Sequence, residues 1–267
     1  MRKALTLTLI AAILACCPAA ADSLGSAVTL ELRTDGQGPL RLYPAPGASG
    51  NPRAYAEAVK GARYRLIVHN NLSCRVGLVI AVDGRNIISG GVSDLAPSER
   101  MYILTAGQTC EFSGWRTGQD RENRFYFTTA DDSYAGAFND QSAMGVVAMA
   151  AFRECVPQPV QRPSLTERGL SRNAPSAGAP APASEMARKA DTQSQPGTGY
   201  GEEVFSPSVT VPFRPESQPR EKAFIKYEWR ETLCRLGVIP PSPAPRNRLW
   251  DSGFAPPPPT RNFQGSR

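Results

Sequence analysis

Histidine is nearly missing: the 267 residues contain one, His69. A His-rich zinc site is therefore excluded, and any Ser-His-Asp or Cys-His arrangement would have to use that ring. No G-x-S-x-G elbow accompanies it. Alternation around it places it half-exposed on a strand. There is no C-x-x-C pair to suggest a metal or redox motif. Past the N-terminus no apolar run approaches the roughly 20 residues of a membrane-crossing helix, so no transmembrane span is expected. Proline is scarce early: of 25, six precede residue 156 and 19 follow it. The ordered domain is therefore expected in the first part. The net charge of +6 is also unevenly placed. Arg2 and Lys3 carry +2 and residues 156–267 carry +5, leaving −1 on residues 4–155. A nucleic-acid binder carries a basic face on its folded module, so no nucleic-acid partner is expected. The basic tail reads as solvated.

What is present begins with export. Met1-Arg2-Lys3 is a positive segment, Ala4–Ala15 is apolar, and Ala19-Ala20-Ala21 precedes Asp22. Together they predict a signal peptide over residues 1–21. A second reading of the same stretch is a lipobox at Ile13-Leu14-Ala15-Cys16, with Cys16 as the lipidation candidate and lipid anchor. Either way the mature protein is expected to be periplasmic or extracellular, or tethered through Cys16.

Residues 24–155 read as an antiparallel β-domain. Val28–Arg33 and Tyr64–Asn70 alternate cleanly. Cys74–Val82 has small or apolar residues on both faces, as a central strand covered on both sides does. Asp83-Gly84 and Thr105-Ala106-Gly107-Gln108 are turns. Pro39–Tyr43, Met101–Leu104, Thr109–Trp115, Arg124–Thr129 and Met144–Phe152 complete seven or eight strands. Ala54–Lys60 reads as a short helical turn or an irregular edge. The count and spacing predict an immunoglobulin-like antiparallel β-sandwich. Trp115 reads as core packing.

The stretches Val82-Asp83-Gly84-Arg85-Asn86-Ile87-Ile88-Ser89-Gly90, Tyr102-Ile103-Leu104, Gly107-Gln108 and Gly114-Trp115-Arg116 form a recognisable pattern. Ser133-Tyr134-Ala135, Met144–Phe152, Gly197-Thr198-Gly199-Tyr200-Gly201-Glu202 and Leu233–Val238 belong with it. The pattern resembles a family of exported proteobacterial proteins of unknown function, over about residues 28–155 and 197–240. The resemblance implies an architecture and an export route. It carries no catalytic residue.

Residues 156–196 are dominated by Pro, Ala, Ser, Arg and Gln and predict a disordered linker. Residues 197–240 are expected to form a β-hairpin plus a short helix docked on the sandwich. Its strands are Val204–Phe213 and Ala223–Tyr227. Its helix is Glu228–Leu236, with Trp229, Leu233 and Leu236 on one face and Gly237 as cap. Residues 241–267 read as a disordered Pro-rich tail, whose Pro256–Pro259 run is a potential polyproline ligand.

After signal cleavage four cysteines remain, and an even count in an exported protein predicts two disulfides. Cys74–Cys110 and Cys155–Cys234 are the favoured pairs, the second stapling the C-terminal module to the domain. Asp131-Asp132, with Asp120 and Asp140 nearby, could gather on a loop as Ca²⁺ ligands, but read first as solvated turn residues. Nothing points to Asp83 with Glu111 as an acidic pair. Gly197–Gly201 lacks the lysine of a phosphate loop. No cofactor and no catalytic residue are expected. The reading is a non-enzymatic envelope protein that binds an envelope or extracellular protein or polymer, with a hydrolase using loop carboxylates as the alternative.

Overall fold

The computed structural model describes residues 22–45, 50–155 and 195–241. The signal peptide with Cys16, most of the linker and nearly all of the tail lie outside the described residues. The first half of the chain gives β1 (Val28–Thr34), β2 (Gly38–Pro39), β3 (Leu42–Pro44), β4 (Arg53–Ala58), β5 (Arg63–Asn70), β6 (Val76–Val82) and β7 (Arg85–Asn86). Next come β8 (Tyr102–Leu104), β9 (Thr109–Phe112), β10 (Gly114–Arg116), β11 (Arg121–Thr129) and β12 (Val146–Arg153). Past the linker follow β13 (Pro196–Thr198), β14 (Glu203–Phe205), β15 (Glu221–Trp229) and the helix α1 (Arg230–Arg235).

These strands build two sheets. The first runs β10-β11-β5-β1-β2, with β13 and β14 also on β11 and β9 on β5. The second runs β3-β4-β15-β12-β6-β7, with β8 on β6. Strand alternation sends Leu30, Leu32, Leu66, Val68 and Phe125 inward from the first sheet. They join Leu78, Ile80, Met149 and Ile225 of the second in one continuous core. The two sheets therefore pack face to face. Strand β6 is buried at all seven positions. Its outward Val79 and Ala81 join Ala148, Ala150 and Phe152 of β12 under Leu95 and Met101 from the loop after β7. The expectation of a central strand covered on both sides is met.

Three expectations are corrected. Ala54–Lys60 is neither a helical turn nor an irregular edge. It contributes β4, with Ala54, Ala56 and Ala58 buried in alternation. Alanine fits strand and helix patterns alike, which masked the period.

The C-terminal hairpin does not form. β14 pairs with β11 in the first sheet, whereas β15 lies inside the second between β12 and β4. The β4–β15 pair is parallel, from Phe224 against Arg53 to Trp229 against Ala58, so the fold is mixed rather than wholly antiparallel. Burial explains the placement. Ala223, Ile225 and Tyr227 are fully buried in the shared core, and a surface hairpin would leave one of its faces wet. Both Glu221 carboxylate oxygens accept backbone N–H groups of the chain entering β1, from Ser26 at 2.9 Å and Ala27 at 2.8 Å. The C-terminal strand thus also holds the N-terminal one. At its far end α1 buries Leu233, leaves Leu236 exposed and stops at Gly237, where φ is +72°.

The disulfides are absent: Cys74, Cys110, Cys155 and Cys234 are free thiols. Topology separates the second pair. Ala151 of β12 faces Glu221 at the start of β15, so Cys155 lies beyond that end, while Cys234 follows the far end. Nine strand residues cover about 27 Å, and two cysteines more than about 7 Å apart at Cα cannot be bridged. Cys74 stands on the link from β5 to β6, between the sheets. Cys110 faces Val68 within the first sheet, and its thiol accepts an N–H of the Gln108 amide at 3.3 Å.

Candidate functional site

The Asp83-Gly84 turn between β6 and β7 has positive φ at both residues, 50° and 78°, the geometry of a two-residue hairpin. Turn aspartates usually face water. This one is completely buried. Oδ1 accepts the Gly145 N–H at 2.8 Å and the Tyr227 hydroxyl at 2.5 Å, and Oδ2 accepts the Thr198 N–H at 2.6 Å. The Tyr227 proton is thereby used, so at 2.7 Å Thr198 Oγ1 donates to the Tyr227 oxygen, and Tyr64 in turn donates to Thr198 at 2.7 Å. The hydroxyl chain runs one way, Tyr64 to Thr198 to Tyr227 to Asp83, and each bond polarises the next. Burial pushes the Asp83 carboxyl up to about 6, against the opposing pull of these donors. Burial and the nearby carboxylate raise both phenols well above their ordinary value. With every member sealed from solvent, the network is a structural hub joining the β6 turn to β13 and β15.

From the hub the chain runs to the surface. Gly197, Gly199 and Gly201 alternate along an extended segment. A Cβ at Gly199 would collide with the Tyr126 ring, and one at Gly201 would lie 2.7 Å from the Arg124 carbonyl oxygen. The glycines let this segment lie flat on β11. Between them Thr198 reaches the hub, and Tyr200 stacks on Tyr134 at 5.6 Å with planes 16° apart. Tyr134 lies 4.4 Å from Trp115 and meets Phe138 edge-on at 5.2 Å. Trp115 is fixed from behind: Phe125 packs edge-on at 5.3 Å, and its indole N–H donates to the Gly199 carbonyl at 3.1 Å. The Arg85 guanidinium lies 4.1 Å from the Phe138 ring centre, and is held by the Gly90 carbonyl at 3.0 Å and Asp140 at 3.4 Å.

These rings line an open cleft of about 330 Å³, walled by Ile87, Ser89 and Gly90 beyond β7, by Arg116 at the end of β10 and by Thr117 after it. Trp115 is core, as expected, and lies at the floor of the cleft. Tyr200 and Phe138 are 46% and 54% exposed. Arg116 forms the wall between this cleft and a larger groove of about 830 Å³ under Val209 and Val211. Its guanidinium is committed: it donates to Tyr102 Oη at 2.8 Å and the Ser206 carbonyl at 2.8 Å, and lies 3.4 Å from Glu122. It pins the C-terminal segment rather than offering a free charge. The cleft is thus aromatic, braced from behind and without a net ionic demand, suited to stacking a ring-bearing or proline-bearing ligand.

The residues singled out in the sequence lie elsewhere. Asp131 and Asp132 are exposed, and Asp132 accepts the Thr129 hydroxyl at 2.9 Å. Asp120 lies 3.8 Å from Arg121, and Asp140 serves Ser142 and Arg85. Among the described residues no three His, Cys, Asp or Glu side chains form a group fit for a metal ion. Glu111 is exposed on β9 beside Arg65, on the opposite sheet from the sealed Asp83. His69 is half-exposed on β5, 2.8 Å from the Thr109 hydroxyl. Sequence reading missed Tyr134, Phe138 and Tyr200 as a group. Tyr134 and Tyr200 stood in two separate stretches of the pattern, Ser133–Ala135 and Gly197–Glu202, with nothing to join them, and Phe138 had no signal. Comparison of the chain with protein-family models, curated proteins and solved structures finds no match in any of the three.

Proposed function

We propose that the chain is a non-enzymatic binding module of the bacterial envelope, exported by its N-terminal leader, that recognises its ligand through the Trp115–Tyr134–Tyr200–Phe138 cleft. The observation carrying this reading is two half-exposed aromatic rings, Tyr200 and Phe138, braced on Tyr134 over the buried Trp115. Packing a ring behind Tyr134 and tying Trp115 by its N–H prepays the ordering cost of a binding surface. Export rests on the charged, apolar and small-residue order of residues 1–21 and on the resemblance to exported proteins of unknown function. An immunoglobulin-like identity rests on strand number and two-sheet packing, against the parallel β4–β15 pair.

Co-sedimentation of the mature protein with envelope fractions tests the reading. Retention that falls in Tyr200→Ala and Phe138→Ala, both with unchanged near-ultraviolet circular dichroism, supports it. Retention indifferent to both substitutions overturns it. Cell fractionation with intact mass tests export. A mature chain beginning at Asp22, or acylated at Cys16, is the expected result, and an unprocessed chain in the cytoplasm counts against it.

A further inference from the structure

Resting on that reading, we propose that the cleft binds a proline-rich segment in the polyproline II conformation, and that the chain's own tail around Pro256–Pro259 is its resident occupant. Three observations carry this. The first is the chemistry of the cleft. Polyproline II exposes proline ring faces and unpaired carbonyls, and it is recognised by aromatic slots with hydroxyl or N–H donors at their rims. Tyr134 braces Tyr200 by stacking and Phe138 edge-on, and these two rings keep about half of their surface exposed for a ligand. Ser89 and Thr117 are exposed at the rim and offer hydroxyl donors.

The second is charge. Arg85 and Arg116 are each held by a carboxylate, so the cleft asks for no anion. A neutral proline run suits it. Residues 242–267 carry four arginines and one aspartate, while Ala255–Thr260 has no charge.

The third is where the chain leaves the fold. The described residues end at Pro241, past α1, which follows β15 directly. Tyr227, near the end of β15, is bonded to Thr198, two residues from Tyr200 of the cleft. From β15 to β7, whose following residues wall the cleft, is three strand spacings, about 14 Å. The fourteen residues 242–255 span up to about 43 Å at 3.1 Å per residue, about three times that lateral spacing, which is length enough to allow the proline run to return to the cleft of its own molecule.

The test uses the full mature chain with Pro256–Pro259 replaced by serine, titrated with a synthetic peptide of residues 252–264 and followed by calorimetry and tyrosine fluorescence. Saturable binding is expected. It should become about tenfold weaker when Tyr200→Ala or Phe138→Ala is added, the size of one aromatic contact. It should also be weaker in the intact chain, where the tail competes. Peptide binding equal in the intact and serine-substituted chains overturns the resident-tail assignment. No peptide binding, together with Tyr200-dependent binding of an oligosaccharide, overturns the proline assignment and leaves the cleft a recognition site. If neither probe binds in a way that depends on Tyr200 or Phe138, both the assignment and the binding-module reading fail.

Discussion

Asp83 Oδ2 accepts the backbone N–H of Thr198 at 2.6 Å, joining a tight turn to a residue 115 positions later in sequence. The same carboxylate takes the Tyr227 hydroxyl, so one side chain gathers the β6 turn, β13 and β15. A buried acceptor with three donors is costly to remove, because each donor left unpaired costs about 1–3 kcal/mol.

Asp83→Asn should therefore destabilise the fold. Asparagine tolerates the left-handed backbone at φ 50°, so the loss reports on the side chain. Its amide nitrogen cannot accept the N–H or O–H that now points at that oxygen. A loss of about 2–3 kcal/mol is expected at pH 7.5 by urea unfolding. An unchanged midpoint would remove the hub from the account.

The pH dependence has a definite sign. The folded carboxyl lies near 6, above its ordinary value of 3.8. Between those values the folded state holds more protons than the unfolded one, so this group's contribution is complete below about 4 and is lost as pH rises through 6. The change is about 3 kcal/mol. Glu99 and Asp140, held below the usual carboxylate range, act in the opposite sense, and their contributions are lost as pH falls. The difference between wild type and Asp83→Asn isolates the hub. The stability gap should widen from pH 7.5 to 4.5, and a gap that narrows would contradict the assignment.

Thr198→Val keeps the shape and deletes the central hydroxyl. Tyr64 loses its acceptor and Tyr227 loses its donor, at about 1–3 kcal/mol. In a Tyr64→Phe background the same substitution should cost less, because one stranded partner is already gone. Additive costs in this double-mutant cycle would mean that the hydroxyls do not act as a chain.

Glycine substitutions should separate sharply by position. A methyl on Gly114 would land on the Asn123 carbonyl of the paired strand β11, where backbone must move. Gly36 has open space around it and no positive φ. Gly36→Ala should leave thermal stability within about 0.5 kcal/mol of wild type, whereas Gly114→Ala should lose about 3 kcal/mol or more. Similar melting temperatures for the two would contradict the close strand packing.

Cys74, Cys110, Cys155 and Cys234 should all alkylate in denaturant without reductant, giving the same mass as with it. On the native protein exposed Cys155 should react early and Cys110 late, since burial pushes the Cys110 thiol up and depletes its thiolate. Two adducts too few without reductant would restore a disulfide.

The strands with strong alternation were legible. Val28–Thr34 and Arg63–Asn70 carry large apolar residues at every second position, and doubly covered Val76–Val82 shows small or apolar residues on both faces. Pairing was not legible, because alternation fixes which face is wet and says nothing about which neighbour lies beside it. Ala223–Tyr227 was therefore readable as a strand, but its place between β4 and β12 was not. The thiol pairs were misjudged for the same reason, since ranking them required knowing which strand ends coincide. Asp83-Gly84 reads as a solvent turn in any sequence, so the buried carboxylate had no local sign. The cleft draws Trp115, Tyr134 and Tyr200 from three separated segments, and only the folded chain brings them together.

The central position of β15 sets a timetable. Sheet two is incomplete when Cys155 leaves the ribosome, and Trp229 follows 74 residues later. At about 5–20 residues per second the flanking strands β4 and β12 wait roughly 4–15 s for their shared neighbour. Through that interval β4 and β12 lack the strand that joins them and each has a bare edge. For a chain exported unfolded, as proposed above, this order is an advantage, since the last described strand is also the one that completes the shared core.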